Sequence, residues 1–162
     1  MLHSLSNDTL YQFLTFQASI LMQEHTPLLM DCGLSPLINY GEFTVPGVYG
    51  RSRWMAPEVL EPPDDLSMPD MGETVYSPKT DIYAFGMTIL EVITGALPYN
   101  HQRHDTVVIL EVIRGIRPNR PPAISDGVWN IMTACWESKP LKRPSAALVD
   151  SWLNIVCFAE VI

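Results

Sequence analysis

Apolar residues in the second half of the chain fall into helical segments, and polar, glycine and proline clusters separate them. Thr80 to Thr94, TDIYAFGMTILEVIT, is apolar almost all round. That pattern predicts a helix buried in the middle of a domain, with Thr80 as its cap and Gly95 as its stop. Asp105 to Arg114, Gly127 to Glu137 and Ser145 to Phe158 are three further predicted helices, divided by turns such as Arg117-Pro118-Asn119-Arg120-Pro121-Pro122. A shorter helix is expected over Ala56 to Leu60, because the fixed φ of Pro57 suits a first helical position.

The first half reads differently. Ile20-Leu21-Met22 and Leu28-Leu29-Met30 are short apolar runs around the polar Gln-Glu-His-Thr-Pro, which predicts a small hairpin. Cys32 to Arg53 is punctuated by glycine and proline, has no clear period, and is longer than most loops of compact domains. Glu61 to Pro78 is rich in acids and prolines and is read as an exposed loop insertion, with docking of a partner as the alternative. Residues 1–18 stay unassigned, although Leu10, Phe13, Leu14 and Gln17 recur at helical spacing. No internal repeat is evident, so the expected class is mainly α with a small β-hairpin at its N-terminal edge.

Composition narrows the function. With 162 residues, 47% of them hydrophobic, the chain can bury a single-domain core. A net charge of -8 has the wrong sign for contacting phosphates, so neither nucleic acid nor an anionic membrane is expected as a partner. Cys32, Cys135 and Cys157 are far apart and form no Cys-x-x-Cys pair, which favours reduced, buried thiols. The opening MLHSLSNDTL lacks the basic start of a secretion signal, and no stretch is long and apolar enough to span a bilayer. A soluble, cytoplasmic or otherwise intracellular protein is the expectation.

An ordered set of short motifs then carries a resemblance. Trp54-Met55-Ala56-Pro57-Glu58, Ser77 to Gly86 (SPKTDIYAFG), Glu91 to Tyr99 (EVITGALPY) and the late Cys135-Trp136, Pro140 and Arg143-Pro144-Ser145 resemble, in order and spacing, the C-terminal lobe of eukaryotic protein kinases of the tyrosine-kinase-like group. The similarity runs from Ile20 to about Leu153. It implies a kinase-like lobe over 19–162, with an activation segment at 31–58, the loop insertion at 61–78 and a helical core at 80–158. It also implies structural roles for Trp54, for Glu58 and Arg143 as a buried ion pair anchoring the activation segment, and for Asp81 beneath the catalytic loop.

Chemistry needs other parts. Phosphoryl transfer depends on positioning ATP, neutralising its phosphates with magnesium and orienting the attacking hydroxyl. The first glycine is Gly33 and the first lysine Lys79, so the glycine loop and strand lysine of the ATP-binding lobe are expected to be absent from this chain. Asp31-Cys32-Gly33 resembles the magnesium-binding D-F-G segment, which makes Asp31 a vestigial metal ligand. Leu14 stands at the position of the catalytic Asp and Ser19 at that of the Asn, and leucine cannot accept a proton.

Arg51 and Arg53 are read as solvated, and Thr44, Tyr49 and Ser52 as hydroxyls open to phosphorylation by another kinase. The resemblance implies a family activity, ATP-dependent phosphorylation of protein Ser/Thr or Tyr with ATP and magnesium as cofactors. This chain alone is expected to be an inactive, pseudokinase-like lobe that needs no cofactor and binds unidentified protein partners. The alternative is the C-terminal portion of a complete, active kinase.

Overall fold

The computed structural model describes residues 20–23, 26–29, 51–61 and 77–159. Its N-terminal element is an antiparallel pair, β1 (Ile20–Gln23) with β2 (Thr26–Leu29), in the register Ile20 to Leu29 and Gln23 to Thr26. The rest is helical: α1 (Pro57–Leu60), α2 (Pro78–Thr94), α3 (Asp105–Ile113), α4 (Asp126–Cys135), a 3-10 turn (Pro140–Lys142) and α5 (Ala146–Ala159).

Helix α2 organises the domain, and its ends explain its length. Ser77, in extended backbone, caps it: its Oγ accepts from the backbone N–H groups of Lys79 and Thr80, while Thr80 Oγ1 accepts from Ser77 N at 3.0 Å. This reciprocal box satisfies donors that a helix start leaves unpaired. Thr80 is therefore the third helical residue and not the cap, which corrects the expected start. The same cap removes Ser77 and Pro78 from the expected 61–78 loop, and residues 62–76 of that segment lie outside the described ones. At the other end Gly95 adopts φ 64, the left-handed conformation that glycine takes without a Cβ penalty, and stops the helix.

Tyr83, Met87 and Leu90 of α2 are buried with Val108 and Val112 of α3, Ile131, Met132 and Cys135 of α4, and Val149 of α5. Each such aliphatic side chain contributes roughly 1.5–3 kcal/mol relative to exposure. α2 and α4 approach closely at Gly86, where a Cβ would stand 2.7 Å from Trp136 Nε1 and 2.8 Å from Cys135 Cβ. The glycine is thus a packing requirement. Burial also pushes the Cys135 thiol up to about 12, so it behaves as an inert core residue.

Candidate functional site

The segment Arg51 to Glu61 is bound to the helical core by side chains that sequence reading divides between structure and solvent. Arg143 is its deepest anchor. The guanidinium, whose side chain has no exposure, donates to Glu58 Oε1 at 2.6 Å and Oε2 at 2.8 Å. It also donates to the carbonyls of Glu137 at 2.8 Å and Lys79 at 2.8 Å, and its Cζ lies 5.1 Å from the Tyr83 ring centre. Arg117 covers the same ring at 5.2 Å, so the buried phenol has two guanidinium neighbours. A fork of planar donors suits this position, because the four bonds, two to the carboxylate and two to carbonyls, exceed the three donors of a lysine ammonium.

Arg53 forms the second anchor. It is buried, and it donates to the carbonyls of Pro98, Tyr99 and Gln102, each at 2.9 Å, while its Nε lies 3.3 Å from Asp105. The solvated reading of Arg53 is therefore wrong. A lone arginine in an aperiodic stretch carries no local sign that a turn 45 residues later will offer it three carbonyls. Tyr99, in that turn, has φ 55, unusual for a bulky residue. Arg51 is exposed, in line with its solvated reading.

Trp54 completes the attachment, buried and donating from Nε1 to Glu91 at 3.1 Å. Ser52 has no exposure and its Oγ has no hydrogen-bond partner among the described residues. A kinase cannot reach a hydroxyl in that position, so Ser52 is withdrawn as a phosphate acceptor in the folded chain. Leu14, Ser19, Asp31, Thr44 and Tyr49 all lie outside the described residues.

Asp81 sits in the first turn of α2, beside a hollow of about 160 Å³ that Ile82, Pro144 and Ala146 also line. Its Oδ2 is buried with no hydrogen-bond partner among the described residues, and burial pushes the carboxyl up to about 7. Next to it Lys79 Nζ donates to the carbonyl of Arg143 at 2.6 Å and of Pro144 at 3.3 Å. These bonds tie the start of α2 to the base of the domain, a use of Lys79 that its sequence position does not announce.

Protein kinases use ATP and magnesium. Among the described residues no three His, Cys, Asp or Glu converge as a metal site, Asp81 stands alone, and the Lys79 ammonium is held by carbonyls. The described side chains do not fit a magnesium-nucleotide, and Asp31, the carboxylate that the resemblance offers to magnesium, lies outside the described residues. What they can do is hold a surface segment rigidly against a helical base.

Comparison with known proteins places the sequence in a family. The family model described as protein tyrosine and serine/threonine kinase matches residues 9–153. A probable serine/threonine-protein kinase of Dictyostelium discoideum is 33% identical over 137 residues, covering 84% of this chain and 14% of that protein. Tyrosine-protein kinase Mer of Mus musculus is 30% identical over 147 residues, 86% of this chain and 13% of its own length. A light-sensor protein kinase of Ceratodon purpureus is 36% identical over 104 residues, 62% of this chain and 8% of its own. The chain thus spans less than a fifth of each of these relatives. With the family model matching most of its length, the chain belongs to the protein tyrosine and serine/threonine kinase family.

Proposed function

We propose that residues 19–162 form the C-terminal lobe of a kinase domain of the tyrosine-kinase-like type, and that this chain by itself binds protein and does not transfer phosphate. The two-pronged attachment of Glu58 to Arg143 supports the first part, since it fixes the end of the proposed 31–58 activation segment to the base of the lobe. The observation that carries the second part is Lys79. Its ammonium is committed to the main-chain carbonyls of Arg143 and Pro144 and is not free to reach a nucleotide phosphate. Leu14 and Ser19 at the catalytic Asp and Asn positions point the same way. Asp31 is then a lone carboxylate, a weak magnesium ligand.

The test is transfer of labelled phosphate from magnesium-ATP to casein or to the chain itself, with the Asp31→Ala variant alongside. No incorporation is expected. Incorporation that disappears in Asp31→Ala would overturn the proposal. Thr44 and Tyr49 stand as acceptor positions for a separate kinase, checked by phosphopeptide mapping after treatment with one. A second reading, favoured by the small share of each relative that the chain covers, makes these residues the C-terminal portion of a longer, active kinase. Peptide sequencing of the native protein decides between them: peptides from upstream glycine-loop and lysine segments would establish the second reading.

A further inference from the structure

The outward face of α3 combines apolar exposure with a charge that runs against the rest of the chain. The helix buries Val108 and Val112, while Val107 is 37% exposed and Leu110 50% exposed on the other side. Its C-terminal turn enlarges that face. Gly115, at φ 78, donates to the Val112 carbonyl and Ile116 N donates to the Glu111 carbonyl, the paired bonds of a Schellman turn. The residue that follows the glycine of such a turn frequently packs against the last turn of its helix. Here that residue is Ile116, which is 46% exposed.

The rim is cationic. Arg103 precedes the helix, Arg114 follows it, and both are exposed. Ion pairs among the described residues engage Arg53, His101, Arg120 and Arg143, so neither Arg103 nor Arg114 is neutralised there. The nearby acids are turned away from this face, Asp105 towards Arg53 and Glu111 towards Gln102 and His101. In a chain with 18 acids against 10 lysines and arginines, an apolar strip flanked, among the described residues, by Arg103 and Arg114 is not the average surface. Charge complementarity selects a partner of opposite pattern.

We propose that the α3 face, Val107, Leu110 and Ile116 accompanied by Arg103 and Arg114, docks an acidic amphipathic segment of a partner protein. A nine-residue helix is about 14 Å long, so the segment would place two apolar side chains on the strip and carboxylates near both ends. The inference rests on the protein-binding reading above and deepens it.

The experiment titrates the ¹⁵N-labelled full chain with two synthetic helical peptides. One carries leucines on one face and glutamates in its first and last turns, and the other has every glutamate replaced by lysine. The acidic peptide is expected to bind, with shift changes confined to residues 103–116, and at least about tenfold more tightly than the lysine peptide. Arg114→Glu should weaken the acidic peptide by about tenfold and strengthen the lysine one, and added salt should weaken the former. Both Leu110 and Arg114 are exposed, so Leu110→Asp and Arg114→Glu should melt like the parent, and the charge-swapped pair keeps the test independent of Leu110. No binding of the acidic peptide, equal binding of both, or shifts elsewhere would overturn the proposal. So would self-association of the unliganded chain that Leu110→Asp abolishes, which would assign the face to a second copy. Phosphate transfer by the chain would sink the inactive reading while leaving this titration unchanged, so the two failures are distinguishable.

Discussion

Removing the Glu58 carboxylate is the sharpest test of how the 51–61 segment is held. In Glu58→Ala the Arg143 guanidinium keeps its bonds to the Glu137 and Lys79 carbonyls but loses both carboxylate oxygens, and its own side chain has no exposure to water in the parent. Breaking a buried pair by deleting one partner costs about 3–5 kcal/mol, mostly through the stranded charge. Here the stranded group is the more buried of the two, since the Glu58 side chain is 20% exposed. The cost is therefore expected in the upper half of that range for Glu58→Ala. For a chain of this size it corresponds to a fall in Tm of roughly 8–20 °C.

Arg143→Met strands the better-solvated partner but frees two carbonyls, and the double variant Glu58→Ala/Arg143→Met removes both charges. Its loss should fall short of the summed single losses by about 2 kcal/mol, within the range of contact couplings. Urea unfolding followed by tryptophan fluorescence measures all four species, with Trp54 reporting on the segment itself. Additivity within about 0.5 kcal/mol, the level found for independent sites, would refute the coupling. A Glu58→Ala loss below about 1 kcal/mol would show the pair behaving as a solvent-exposed one.

Other predictions follow from neighbouring groups. Asp81, raised to about 7 by burial, binds a proton in the folded chain at pH values where the unfolded carboxyl has released it. Its contribution is therefore present below about pH 4 and is lost as pH rises towards 7, so stability against pH should fall across that window, by at most ~4 kcal/mol before solvent screening. Asp81→Asn should flatten that slope in urea melts at several pH values, and an unchanged slope would assign it elsewhere. Gly86→Ala must displace the Trp136 and Cys135 side chains, and calorimetry should show a loss of about 1–3 kcal/mol. Arg53→Lys cannot reproduce the fork onto Pro98, Tyr99 and Gln102, so amide exchange should quicken in residues 98–102 more than in α4. Treatment with a serine kinase should leave Ser52 unmodified in folded protein and modify it only after unfolding, as read by mass spectrometry.

Sequence pattern alone determined the helices over the second half of the chain, because a buried helix must be apolar where it packs and capping chemistry marks where it stops. Gly95 was legible as the end of α2 for that reason, whereas its cap was misplaced by three residues because Ser77 and Thr80 cap reciprocally and both suit the role. The ordered motifs likewise marked Glu58 and Arg143, 85 positions apart, as residues of one family. What only the tertiary structure decided was the fate of polar side chains in aperiodic segments. Arg53 and Arg51 are the same residue type two positions apart, yet one is buried on three distant carbonyls and the other faces water. Ser52 reads as an open hydroxyl and is enclosed, and Lys79, whose sequence position announces no such role, clamps the carbonyls before α5. A hydrogen-bonding side chain takes its role from acceptors that the fold brings to it, and no local period encodes where those acceptors will be.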